Sequence, residues 1–155
     1  MPQNTAIVIP CYNAGNRLES VLNGLTSFEG PVIVVDDGST DGGTDCLSER
    51  TVQALRFPEN RGKGHALLAG IREALQHEAV QRIVLMDADG QHDPGEVDAL
   101  LSASRSTGAA LVVGARQIDR RLMPLRSRFG NVLTAWISAH VFRCPLSDTQ
   151  CGFRV

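Results

Sequence analysis

The chain has 155 residues, enough for one domain with a sizeable core. A hydrophobic fraction of 43% and a charged fraction of 21% suit a soluble globular protein, and a net charge of −2 gives no general attraction to nucleic acid or to an anionic membrane. No apolar run approaches the roughly 18 residues that span a bilayer, and Met1-Pro2-Gln3-Asn4 lacks the basic-then-apolar pattern of a signal peptide, so a cytoplasmic location is expected. Cys11, Cys46, Cys144 and Cys151 form no C-x-x-C pair. That favours reduced thiols over a zinc ribbon or a redox motif.

The first predicted strand is Ala6-Ile7-Val8-Ile9, closed by the loop Pro10-Cys11-Tyr12-Asn13-Ala14-Gly15. Leu18, Val21, Leu22 and Leu25 then recur at helical spacing, with Asn16 as the expected N-cap. Val32-Ile33-Val34-Val35 is a second buried strand that runs into Asp36-Asp37-Gly38-Ser39. Ser39, Thr40 or Asp41 is the expected cap of a short helix near Asp45 to Arg50, and Val52 to Phe57 is a weaker third strand. The loop Asn60-Arg61-Gly62-Lys63-Gly64 opens a helix from His65 to about His77, with Leu67, Leu68, Ile71, Ala74 and Leu75 as its expected buried face. A fourth strand, Arg82 to Met86, leads into Asp87-Ala88-Asp89-Gly90-Gln91-His92-Asp93-Pro94. A helix from about Gly95 to Arg105 places Val97, Leu100 and Leu101 inward, and Ala109 to Val113 is the expected fifth strand. Alternating strands and helices imply a mostly parallel, doubly wound α/β sheet.

Beyond Gly114 the character changes. Arg116, Arg120, Arg121, Arg126 and Arg128 gather with a single acid, Asp119. Phe129 to Phe142 reads as a helix, with Trp136 on it. The chain then finishes in polar residues, Asp148-Thr149-Gln150-Cys151-Gly152-Phe153-Arg154-Val155, with no evident closing element.

In a parallel sheet the ends of the first, second and fourth strands share one edge, the edge where open α/β sheets bind ligands. Asp87 and Asp89 repel one another there unless a cation lies between them. With the Gln91 carbonyl they form an all-oxygen donor set that suits Mg²⁺ or Mn²⁺ rather than Zn²⁺. Asp36 or Asp37 is placed to accept hydrogen bonds from a nucleobase or ribose. Arg61 and Lys63 stand where a helix N-terminus favours anions, and the arginine cluster has the forked donors that recognise phosphate. No G-x-x-x-x-G-K-[ST] or G-x-G-x-x-G motif occurs, which disfavours a P-loop and a Rossmann dinucleotide site. The arginine patch lacks interleaved aromatics, so no nucleic-acid partner is expected.

Taken together, Ile9-Pro10-Cys11-Tyr12-Asn13, Val34-Val35-Asp36-Asp37-Gly38-Ser39-Thr40-Asp41-Gly42, Asn60-Arg61-Gly62-Lys63-Gly64-His65-Ala66-Leu67, Met86-Asp87-Ala88-Asp89-Gly90-Gln91-His92-Asp93-Pro94, Gly114-Ala115-Arg116 and Asp148-Thr149-Gln150-Cys151-Gly152-Phe153-Arg154 span nearly the whole chain. In this order they resemble glycosyltransferase family 2, and most closely its polyprenyl-phosphate branch, the dolichyl-phosphate mannose and glucose synthases and their bacterial relatives. The resemblance implies a GT-A fold and a metal-dependent inverting transfer of a hexose from a UDP- or GDP-linked donor to a polyprenyl phosphate, in cell-envelope glycan biosynthesis. It implies that Pro10, Tyr12, Val35 and Asp37 line the nucleoside pocket. Asp87, Ala88, Asp89 and Gln91 would form the metal and diphosphate site, with Asp87, Asp89 and Gln91 as metal ligands. Arg116 and either Arg126 or Arg128 would meet phosphate of donor or acceptor, and Asp148 and Gln150 belong to the acceptor-side motif. Asp89, Arg116, Arg128 and Asp148 are thus the expected catalytic set.

The whole chain, 1–155, then reads as one GT-A domain, with 1–115 as the nucleotide-sugar-binding half and 116–155 as the start of the acceptor part. Ala14 stands where the branch often carries an acid, and family members usually continue past Cys-Gly-Phe-Arg, so the chain reads as C-terminally truncated. Peripheral contact with the cytoplasmic face of a membrane is expected for a lipid acceptor. Two rival functions share these residues. One is a nucleotide-sugar-binding module without transferase activity. The other is a transferase to a sugar hydroxyl, for which Asp148 is the candidate general base. A sugar-1-phosphate nucleotidyltransferase would want a glycine-rich basic loop after the first strand, where this chain has Pro10-Cys11-Tyr12-Asn13.

Overall fold

The structure is a computed structural model that describes residues 4–114 and 152–155. Four strands form a parallel sheet: β1 (Thr5–Cys11), β2 (Val32–Asp36), β3 (Gln53–Arg56) and β4 (Arg82–Leu85), in the order β3-β2-β1-β4. Every residue of β1 is buried because both its edges are paired, Ile7 against Val32 on one side and Thr5 against Arg82 on the other. That double burial is why β1 and β2 are continuous apolar runs rather than alternating ones.

The period of two along β1 divides the core. Ile7 and Ile9 pack with Leu18, Val21 and Leu22 of α1 (Asn16–Gly24) and with Val97, Leu100 and Leu101 of α3 (Val97–Thr107). Ala6 and Val8 face the other way, with Ala66 and Ala74 of α2 (Lys63–Ala74). The sheet is therefore covered on both faces, the doubly wound arrangement that the alternating pattern predicts. Among the described residues, no helix is long and apolar enough to cross a membrane.

Four local expectations change. The buried stripe of α2 is Ala66, Gly70 and Ala74, while Leu68 and Leu75 are 54% and 64% exposed. A Cβ on Gly70 would run into the Val8 side chain and sit 3.0 Å from Val35 Cγ2, so the helix backbone lies directly on the sheet. Small residues at four-residue spacing permit that approach and rotate Leu68 and Leu75 outward, while Leu67 and Ala74 of the expected face keep their contact with the core. The helix cap shifts as well. Asn16 is already helical, Gly15 takes the cap position with φ 55°, and its N–H donates to Asp41 Oδ2 at 2.8 Å. Asp41 thus serves α1, and the 3₁₀ turn Asp45–Glu49 begins after Thr44 without a side-chain cap.

The other two changes concern the sheet's far edge. Ala109 to Val113 does not form a fifth parallel strand. Residues 153–155 take the place beside β4 instead, with Leu85 N–H donating to the Arg154 carbonyl at 2.8 Å and Arg154 N–H to that of Leu85 at 3.1 Å. Residues 112–114 pair antiparallel outside them, Val112 N–H reaching the Val155 carbonyl at 2.7 Å. The final residues, read from sequence as closing nothing, therefore extend the sheet and bury Phe153 in the core.

Candidate active site

β1, β2 and β4 run parallel, so the loops that leave Cys11, Asp36 and Leu85 emerge on one edge. Between them lies a crevice of about 280 Å³. Its wall includes Pro10, Tyr12, Asp37, Asp87, Ala88 and Asp89 from the sequence-predicted set, together with Cys11, Ala14, Arg17, Asn60, Lys63 and Ala66. Val35 is fully buried in the core facing α2, and Gln91 is exposed on the outer part of its loop; neither lines the crevice. Arg116, Arg126, Arg128, Asp148 and Gln150, like the helix expected over Phe129 to Phe142, lie outside the described residues.

The adjacent acids Asp36 and Asp37 have opposite duties because successive residues point to opposite sides. Asp36 is 1% exposed and turns away from the crevice. Its carboxylate accepts from Ser39 N at 2.8 Å, Thr44 Oγ1 at 3.0 Å and Arg56 Nε at 2.8 Å. Burial pushes its pKa up, but the bonds from Ser39, Thr44 and Arg56 together outweigh burial and hold the carboxyl below the usual carboxylate range. Asp37 lines the crevice, yet both its oxygens are engaged, by Arg61 N at 2.8 Å and Gly62 N at 2.9 Å. It folds the 60–62 loop against the sheet edge and so delivers Asn60 and Lys63 to the wall. Gly38 makes that approach possible: its φ is 75°, and a Cβ there would lie 2.6 Å from the Glu59 carbonyl carbon.

Asn13 joins the first loop to the second. Its N–H donates to Ser39 Oγ at 3.1 Å, its Oδ1 accepts from Thr40 N at 2.9 Å, and its φ is 50°. That clasp presents Tyr12, 51% exposed, at the crevice rim. An exposed aromatic held by a hydrogen-bonded loop is a ready platform for a flat ring.

On the opposite wall, Asp87 Oδ1 pairs with Lys63 Nζ at 2.6 Å. Asp89 Oδ1 accepts from Gln91 N at 2.9 Å, which closes the loop on itself. Among the described residues no three His, Cys, Asp or Glu side chains converge as a metal cage. Two carboxylates in a crevice with basic neighbours are instead the donor set that Mg²⁺ or Mn²⁺ uses, the remaining positions going to water and phosphate oxygens. The residues present fit such an ion at Asp87 and Asp89.

Lys63, expected at an anion-favouring helix N-terminus, lines the crevice, and so does Arg17, which no sequence motif singles out. Arg17 sits in the first turn of α1, where a cation opposes the helix dipole, and its Nε donates to the Ala14 carbonyl at 2.9 Å. A basic residue in that unfavourable position, directly after a strand-end loop, was the available signal.

Cys11 belongs to the crevice but not to its chemistry. Burial pushes its thiol up to about 11, against a partial opposing effect of the hydrogen bond from the Ala14 backbone. The thiolate fraction at neutral pH is then roughly a hundredfold below that of an ordinary thiol. Iodoacetamide at pH 7.5 is expected to leave Cys11 unmodified in the native protein and to alkylate it after denaturation, as read by peptide mass mapping. Rapid native labelling would contradict the burial argument.

The family model described as Glycosyl transferase family 2 matches residues 6–139. The chain is 35% identical over 165 residues to the polyprenol monophosphomannose synthase of Mycolicibacterium smegmatis, covering 98% of this chain and 61% of that protein. It is 37% identical over 118 residues to the undecaprenyl-phosphate mannosyltransferase of Micrococcus luteus, covering 72% of this chain and 47% of that protein. The chain thus spans about half to three-fifths of the length of these relatives. Among solved structures, glucosyl-3-phosphoglycerate synthase from Mycobacterium tuberculosis in complex with Mn²⁺, UDP and glucosyl-3-phosphoglycerate aligns with a TM-score of 0.68 at 21% identity, over 98% of this chain and 56% of that one. A parallel sheet covered on both faces, with its strand-end acids around one crevice, is the GT-A arrangement, and the chain belongs to glycosyl transferase family 2.

Proposed function

We propose that this chain is a metal-dependent, inverting hexosyltransferase that uses a UDP- or GDP-sugar and a polyprenyl phosphate acceptor. The observation that carries the reading is the convergence of Tyr12, Lys63, Asp87 and Asp89 on one crevice at the sheet's carboxyl edge. The names of the two relatives, and the UDP and Mn²⁺ of the structural neighbour, support the choice of donor, ion and acceptor class.

In this reading the nucleoside lies against Tyr12, and the diphosphate lies across the crevice toward Lys63 and Arg17. Asp87 and Asp89 would hold Mg²⁺ or Mn²⁺, and the chemistry such an ion would supply is neutralisation of charge on the departing diphosphate. An acceptor phosphate is already ionised at neutral pH, so no strong general base is required. One of its oxygens forms the bond to the sugar C1 as the bond from C1 to the diphosphate oxygen breaks. The bonding pair leaves with the nucleoside diphosphate, and the anomeric configuration inverts. Lys63, whose ammonium pairs with Asp87 on the same wall, is proposed to meet that diphosphate. Arg116 and Arg126 or Arg128 are proposed to meet phosphate, and Asp148 and Gln150 to serve the acceptor side. Catalysis at a lipid acceptor places the protein peripherally on the cytoplasmic face of a membrane.

The test is transfer of labelled glucose or mannose from UDP-glucose or GDP-mannose to a short polyprenyl phosphate, with and without Mn²⁺. The expected result is an organic-extractable glycolipid, formed only with the ion. Nucleotide-sugar binding without any transfer would replace the reading with a binding module. Transfer to a sugar hydroxyl that collapses in Asp148→Asn would move it to the hydroxyl-acceptor class.

A further inference from the structure

We infer that Gly152 and Phe153 are positioning residues for the Asp87–Asp89 loop, gripping it at both ends so that its carboxylates face the crevice. The inference rests on the reading of that loop as the cation and diphosphate site.

β4 ends at Leu85, Met86 N–H still donates to the Val8 carbonyl of β1 at 3.1 Å, and from Asp87 onward the loop pairs with no strand of the sheet among the described residues. The paired hydrogen bonds between Leu85 and Arg154 bring 152–155 alongside at this exit. Gly152 then lies against the start of the loop. A Cβ built on it would overlap the Asp87 carboxylate, so the side chain of Asp87 is confined between the Gly152 backbone and Lys63 Nζ. Phe153 reaches the end of the loop. Its buried ring stacks on His92, also buried, with centroids 5.3 Å apart and planes 20° from parallel. Between these two grips stand Ala88, buried in the same core cluster as Phe153, and Asp89, tied to Gln91 N.

Ordinary edge packing would explain the sheet pairing and the burial of Phe153. It would not require a residue without a side chain against Asp87, nor a stacked ring under the loop's far end. Two carboxylates held at fixed positions also repel one another more steadily than two on a mobile loop. Fixing them is useful where a cation is to be bound and a drawback elsewhere.

The experiment measures UDP and GDP affinity by calorimetry in Mn²⁺ and in EDTA, together with the melting temperature, and follows whichever nucleotide the wild type binds. The proteins are the wild-type chain, Gly152→Ala, His92→Ala, His92→Phe and, as a control in the same sheet pairing, Val113→Ala. Gly152→Ala and His92→Ala are expected to lower the Mn²⁺-dependent affinity tenfold or more, with melting temperatures no lower than that of Val113→Ala. His92→Phe keeps a ring for Phe153 and is expected to retain the wild-type affinity. If Gly152→Ala does not fold, the His92 pair decides alone. Wild-type Mn²⁺-dependent affinity in His92→Ala and in any folded Gly152→Ala would overturn the inference while leaving the functional reading intact. A wild-type chain that binds neither nucleotide, or whose affinity for whichever it binds ignores Mn²⁺, would overturn both.

Discussion

Asp89→Ala is expected to abolish Mn²⁺-dependent nucleotide binding and to reduce sugar transfer by on the order of a hundredfold or more, the scale of losing a preorganised charge-stabilising group. The fold should survive. Asp89 is half-buried and accepts a hydrogen bond from Gln91 N within its own loop, so the stability cost is about 1 kcal/mol. Asp89 is the cleaner probe of the two acids. Removing Asp87 also strips Lys63 of its partner across 2.6 Å and leaves a new cation in the crevice. Full transfer by Asp89→Ala, with unchanged metal-dependent binding, would end the assignment of this loop as the cation site.

The largest effect on stability is expected from Asp36→Ala. The buried carboxylate takes one bond each from Ser39 N, Thr44 Oγ1 and Arg56 Nε. Truncation takes the acceptor from the buried Thr44 hydroxyl and the half-buried Ser39 N–H, whereas Arg56, 61% exposed, turns to water. A loss of about 2–4 kcal/mol follows from donors left unsatisfied. Nucleotide affinity should fall too, since Ser39 and Thr40 hold Asn13, and Asn13 holds the Tyr12 loop. The pH dependence has a definite sign. With the folded pKa held below the unfolded one, the stabilisation is fully present above pH ~4 and is lost as pH falls through the folded value. Urea midpoints of the wild type should therefore drop below pH ~4 more steeply than those of Asp36→Asn. Parallel pH profiles for the two proteins, or a melting temperature unmoved in Asp36→Ala, would contradict the role given to Asp36.

What the sequence makes legible is whatever local pattern decides. Apolar runs ended by polar loops, with acids after β2 and β4, disclose β1, β2 and β4 and the shared edge of Tyr12, Asp37, Asp87 and Asp89, because burial on both faces leaves an unbroken run and strand ends carry the polar residues. The spacing of Val97, Leu100 and Leu101 gives the face of α3 for the same reason. What escapes is decided at long range. Residues 153–155 win the edge of β4 from Ala109 to Val113, and no local period records a contest between segments so far apart. The leucines of α2 outrank Ala66 and Gly70 in hydrophobicity, but backbone approach favours the small residues. Asp36 and Asp37 look interchangeable as a pair. Their separation into a structural anchor and a crevice wall depends on which side of the strand end each one faces.

The crevice is proposed to bind a nucleoside diphosphate through a cation held by Asp87 and Asp89. Titration of the full chain with UDP and GDP, in Mn²⁺ and in EDTA, tests it most directly. Binding of at least one nucleotide that strengthens tenfold or more with Mn²⁺ is the predicted result, and equal affinity in EDTA, or no binding of either nucleotide, would contradict it.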